Sequence, residues 1–106
     1  MTDYVLVLTT LPSEGDAEKF ALQLVEERLA ACVNILPPMR SVYRWKNTVE
    51  QANERQVVIK TTRARLTALE GRLRTLHPYD VPEFLVLPIE AGSAAYLSWL
   101  SENTEL

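Results

Sequence analysis

Two extended stretches meeting at Asn47 constrain this chain more than any other feature. Met39 to Lys46 (MRSVYRWK) puts Ser41, Tyr43 and Trp45 on one face through the two-residue period of a strand. Val49 to Thr62 then alternates Val57, Ile59 and Thr61 against Val58 and Lys60. Asn47 is the natural turn position, because asparagine tolerates positive φ better than most residues. The two stretches read as a hairpin too long for the rest of a 106-residue domain to cover. A long strand pair with aromatics on it needs a partner.

The remaining elements fall into place around the hairpin. Tyr4 to Thr10 (YVLVLTT) reads as a strand buried on both faces and ended by Leu11-Pro12. Ser13 to Asp16 matches a capping box, opening a helix to about Ala31 with Ala17, Phe20, Ala21, Leu24 and Val25 as its apolar stripe. Cys32 to Leu36 is strand-like, and Pro37-Pro38 confines it to an edge or a bend. Thr62 can cap a second helix, Arg63 to Leu76, whose apolar face is Leu66, Leu69, Leu73 and Leu76. Gly71 costs that helix about 1 kcal/mol against alanine and points to a close packing contact. Phe84 to Ile89 (FLVLPI) reads as a second fully buried strand. Ser93 caps a last helix whose Tyr96, Leu97, Trp99 and Leu100 cover an open edge or dock on a neighbour. The order predicts one α+β domain over residues 1–106, a ferredoxin-like α/β sandwich (βαββαβ plus a C-terminal helix) with a long hairpin between its second and third strands. That architecture names no activity.

Composition narrows the function classes. A net charge of −3 argues against a dedicated nucleic-acid or anionic-membrane binder. One cysteine excludes an intrachain disulfide and fits a reducing cytosol. The N-terminal apolar run ends by Leu8 without a basic region, so the expectation is a cytoplasmic protein with no membrane partner.

Chemistry-bearing residues concentrate in Leu76 to Glu83 (LHPYDVPE), which holds the only histidine, two prolines and two carboxylates. Pro78 and Pro82 stiffen this turn and push His77 and Val81 into extended backbone. His77 reads either as a metal or anion ligand or as a histidine satisfied by backbone carbonyls. Cys32 reads as a small buried hydrophobe, with a thiolate–imidazole pair to His77 as the alternative. Lys60 protects a strand edge or points into a polar cleft. Tyr43 and Trp45 suit interface burial or stacking on a ligand. No phosphate loop, nucleophile elbow or paired-cysteine motif is present, and no catalytic set can be assembled, so no enzyme is expected.

Several blocks are similar to one family. Thr10-Leu11-Pro12, Glu26 to Pro37 (EERLAACVNILP), Ser41 to Trp45 (SVYRW), Ile59-Lys60-Thr61, His77 to Glu83 (HPYDVPE) and Tyr96 to Leu100 (YLSWL) resemble, in order, the CutA divalent-cation-tolerance family. The resemblance implies a tight cytoplasmic homotrimer, similar in plan to PII signalling proteins. Long hairpins would pair across subunits, giving Tyr43, Trp45 and Trp99 an interface. Lateral clefts would gather Cys32, Trp45, Lys60, His77, Tyr79 and Glu83. The implied role is tolerance of copper and other divalent ions, with Cu²⁺ or Zn²⁺ held weakly by His77, Glu83 and Cys32. Relatives proposed to bind copper carry a cysteine and a second histidine where this chain has Thr9 and Leu76, so only His77 remains of that set. The alternative is a PII-like regulator in which Lys60 and protonated His77 meet a small anion, Trp45 reports it and a protein partner reads the change.

Overall fold

The first strand, expected to be buried on both faces, fully buries only one. In the computed structural model, which describes residues 3–106, β1 (Tyr4–Pro12) buries Val5, Val7, Thr9 and Leu11 and leaves the alternate positions half-buried. β1 lies between β3 (Thr48–Thr62) and β4 (Leu85–Pro88), and β2 (Cys32–Trp45) flanks β3. The order is β2-β3-β1-β4 with every neighbour antiparallel. Helices α1 (Ala17–Glu26) and α2 (Leu66–Leu76) cover the buried face, where Phe20, Leu24, Leu69 and Leu73 meet Val5, Val7, Val57 and Ile59. Truncating any of those fully buried leucines to alanine costs about 2–5 kcal/mol, so this cluster fixes the sheet. The result is the expected ferredoxin-like sandwich. Met1 and Thr2 of the domain expected over residues 1–106 lie outside the described residues.

The last helix, α3 (Ala94–Glu102), reaches the other face of the sheet. Ser101 Oγ donates to Tyr4 Oη at 3.0 Å, and Lys60 Nζ stands 5.8 Å from the Tyr96 ring centre. Ser93 caps α3 as expected, accepting from Tyr96 N–H at 3.2 Å.

The hairpin joins strands of 14 and 15 residues and gives the molecule a long axis of 44 Å against 26 and 24 Å. Lys46 and Asn47 both take positive φ (49° and 66°), the two left-handed residues of a tight hairpin turn. Asparagine announces this turn; lysine does not. The pairing register shifts between Ile35 and Pro38, where Pro37-Pro38 breaks the ladder of an edge strand.

Several local expectations are corrected. Asp16, not Ser13, caps α1, accepting from Lys19 N–H at 3.0 Å. Ser13 N–H instead donates to Asn53 O at 3.1 Å, because β1 runs on through Pro12. The helix stops at Glu26 rather than Ala31: Leu29 N–H returns to Leu24 O and Arg28 N–H to Val25 O, with Arg28 in the left-handed region at φ 58°. That C-cap is ordinarily built on glycine, so leucine and alanine beyond it read as continued helix. Val25, expected in the stripe, is exposed. Residues Arg63–Arg65 form a 3₁₀ turn before α2, and Thr62 makes no side-chain cap. Gly71 makes no close packing contact of the expected kind: a Cβ added there would meet no atom within 4 Å beyond its neighbours and its own turn of helix. The largest correction concerns FLVLPI. β4 is a short edge strand with one sheet neighbour, and Leu85, Val86 and Leu87 are exposed. A continuous apolar run cannot distinguish a strand covered within its own chain from one awaiting outside cover.

Candidate functional site

The outer half of the hairpin and the turn after α2 face each other across a cleft of about 810 Å³. Strand register builds one wall. Met39 sits across from Glu54, Tyr43 across from Glu50 and Trp45 across from Thr48, and alternate residues share a face. The other wall is Pro78 to Glu83.

Four side-chain hydrogen bonds hold that second wall. His77 Nε2 donates to Thr10 O at 2.6 Å, and Tyr79 N–H donates to His77 Nδ1 at 3.1 Å. A carbonyl only accepts and an amide N–H only donates, so the imidazole is the neutral Nε2–H tautomer with both nitrogens engaged. Tyr79 Oη donates to Glu54 Oε2 at 2.8 Å, and Gln56 Nε2 donates to Glu83 Oε2 at 2.8 Å. Burial pushes the His77 pKa below its usual 6.5, although the Thr10 carbonyl and Glu54 favour the charged form. Burial, then the bond to Glu54, pushes the Tyr79 phenol well above its usual value, so it stays a donor.

The cleft is acidic. Glu50, Glu54, Asp80 and Glu83 line it, and among the described residues no lysine, arginine or histidine does. At the hairpin tip Lys46 Nζ lies 5.8 Å from the Trp45 ring centre. Glu54 is the most enclosed of the four at 7% exposure.

The residues singled out from sequence separate into two groups. Tyr43, Trp45, Tyr79 and Glu83 line the cleft, with His77 buried behind its wall. Cys32 and Lys60 do not join them. They face each other across β2 and β3, with Cys32 Sγ 3.8 Å from Asn34 Oδ1 and Lys60 over Tyr96. Lys60 is four strand residues from Gln56, roughly 13 Å. Trp99 stacks on Tyr96 at 5.3 Å between ring centres on the exposed side of α3. Sequence reasoning does not single out Glu50, Glu54 and Gln56; the available signal is glutamate recurring at even spacing in a strand, where it is normally depleted.

The residues of one chain do not fit a firm metal centre. Among the described residues no three or more His, Cys, Asp or Glu side chains are grouped to hold an ion. Of the expected set, Cys32 lies beside Lys60 and apart from the cleft that Glu83 lines and that His77 backs.

A ferredoxin-like sandwich with a projecting hairpin and an acidic cleft along the outer half of that hairpin defines the α+β class of this chain. Residues 5–103 match the sequence profile of the CutA1 divalent ion tolerance protein. The chain is 50% identical over 99 residues to the divalent-cation tolerance protein CutA of Thermus thermophilus, covering 93% of this chain and 96% of that one. A solved structure of the divalent cation tolerance protein from Thermus thermophilus superposes with a TM-score of 0.92 at 49% identity, covering 96% of this chain and 99% of the other. The Archaeoglobus fulgidus structure, described as a periplasmic divalent cation tolerance protein, gives 0.91 at 33% identity over 96% of this chain and 99% of that chain. This chain belongs to the CutA1 divalent ion tolerance family. Among the described residues no helix is long and apolar enough to cross a membrane.

Proposed function

We propose that the chain acts in divalent-cation tolerance as a cytoplasmic homotrimer that collects cations weakly in clefts at the subunit boundaries, without a catalytic reaction of its own. The observation that carries this reading is the cleft lined by four carboxylates and, among the described residues, no basic side chain. Such a surface raises the local concentration of cations and repels anions. The PII-like alternative has less support, because within one chain Lys60 lies at Tyr96 and His77 Nδ1 accepts from Tyr79 N–H. Weakness follows from donors that do not converge within one chain.

Assembly is supported by the two sheet edges. β4 presents Leu85, Val86 and Leu87 to solvent, and β2 leaves its outer edge unpaired. Pairing through those edges would bury apolar surface while leaving Tyr43 and Trp45 at the mouth of a cleft between copies. A half-buried free thiol at Cys32 accords with a reducing compartment.

Calorimetry with Zn²⁺ and Cu²⁺ on the wild type and Glu83→Gln tests the metal reading. Weak binding that the substitution weakens further is expected. No binding, or binding indifferent to the substitution, contradicts it.

A further inference from the structure

The outer half of the hairpin segregates its charges by face. Strand pairing sets Arg40 across from Asn53, Val42 across from Gln51 and Arg44 across from Val49. By strand alternation these six residues share the side of the sheet that carries Val57 and Ile59 under α1 and α2. Cover by the helices gives out here, and Val42 is 67% and Val49 59% exposed. This face holds two guanidiniums and no carboxylate. Arg40 is fixed by the amide oxygens of Asn53 and Gln51, neutral acceptors that leave its charge uncompensated.

The exposed side of α1 is built as its complement. Phe20 and Leu24 turn inward, whereas Glu18, Leu22, Val25 and Glu26 form a stripe on the outside, with Leu22 60% and Val25 40% exposed. Helical rise separates Glu18 from Glu26 by about 12 Å, with Leu22 midway. Strand rise separates Arg40 from Arg44 by roughly 13 Å, with Val42 midway. An acidic–apolar–acidic stripe therefore matches a basic–apolar–basic one in sign and in spacing. Among the described residues none of these four charged groups is ion-paired within the chain, while the neighbouring Glu27 is taken by Arg72 at 2.9 Å.

We propose that α1 of a second copy docks on this face of the hairpin, its Glu18 and Glu26 meeting Arg40 and Arg44 around Leu22, Val25, Val42 and Val49. A second copy is the occupant because both halves of the match lie exposed on one chain. Its helix would continue the layer that α1 and α2 begin over the same side of the sheet. The two surfaces differ, so each copy offers both, and the contact passes from copy to copy until a ring closes. The proposal rests on the self-association of the chain but not on the cation cleft, whose hairpin residues lie on the opposite face.

The test is sedimentation velocity of the full chain over a concentration series at low ionic strength. Wild type is expected to associate, and Glu26→Lys and Arg44→Glu should each raise the apparent dissociation constant about tenfold. The double variant carrying both should recover most of that loss, because the exchanged charges again oppose each other. Arg74→Glu, on an exposed part of α2, should associate like wild type. In a Cys32→Ser background, Leu22→Cys together with Val42→Cys should give disulfide-linked multiples of the chain, and neither cysteine alone should. Losses that the double variant does not recover, or an equal loss in Arg74→Glu, would overturn the proposal. Association unchanged in both charge variants, without linked multiples, would overturn it and leave assembly through the sheet edges standing. A monomeric wild type would overturn both.

Discussion

The phenol of Tyr79 donates to Oε2 of Glu54 at 2.8 Å, and this bond ties the turn after α2 to β3 across the cleft. The same tyrosine is held from behind, its amide on His77 Nδ1 at 3.1 Å and its ring 4.9 Å from the imidazole. Tyr79 therefore couples a neutral buried histidine to an enclosed carboxylate, and the wall of the cleft depends on both.

Replacing Tyr79 by phenylalanine removes the single donor to Glu54 and leaves that carboxylate without a partner. Hydrogen bonds to charged groups contribute about 1.5–3 kcal/mol, so Tyr79→Phe should lower the unfolding free energy by that order. Denaturant melts at neutral pH measure it. An unchanged midpoint would mean that the bond contributes nothing.

His77 predicts a pH dependence of definite sign. Its folded pKa lies below the unfolded value of 6.5, so between the two the unfolded chain binds more protons. The contribution is fully present above pH 6.5 and is lost as pH falls through the folded pKa. Thermal melts from about pH 8 to pH 5 should show Tm falling below about 6.5, and His77→Gln should flatten that part of the profile. A rise in Tm over the same interval, removed by His77→Gln, would reverse the assignment.

Two substitutions should stabilise the protein. Gly71→Ala places a methyl in open space on an exposed helix position and should add about 0.5–1 kcal/mol. Thr9 Oγ1 is buried with no hydrogen-bond partner among the described residues, so Thr9→Val, which keeps the shape and drops the hydroxyl, should add about 1 kcal/mol. Melting curves of the single variants check both. A loss of stability in Gly71→Ala would reveal a contact on that face, and a loss in Thr9→Val would reveal a partner for the hydroxyl.

The proposed assembly through the sheet edges would make Leu87 sensitive. It is exposed in the single chain but would be buried when β4 is covered. Light scattering should give the mass of three chains for wild type and a smaller mass for Leu87→Glu. A monomeric wild type at micromolar concentration would contradict the proposed assembly.

The hairpin and the element order are legible because strand alternation, Asn47 and Pro37-Pro38 are local signals. The end of α1 is not, since Arg28 occupies a left-handed position that glycine usually marks. Nor is the exposure of β4, because FLVLPI reads the same whether its cover lies in this chain or another. At the site, the turn from His77 to Glu83 stands out by composition. Glu54 does not, because its pairing with Tyr79 spans 25 residues and strand glutamates ordinarily face solvent. Lys60 is missed for a similar reason: it shares the strand face of Glu54 and Gln56, but its register with Cys32, fixed by long-range pairing, puts it further along the strand at Tyr96.

The central claim is that the cleft between Glu54 and Tyr79 is a cation site. Backbone amide shifts followed by NMR during titration with Zn²⁺ and with glutarate test it most directly. The account predicts that Zn²⁺ moves the amides of residues 50–56 and 78–83 and spares Cys32, Lys60 and α3, and that glutarate moves neither group. Cation-induced shifts centred on Cys32 and Lys60, or glutarate-induced shifts at residues 78–83, would contradict it.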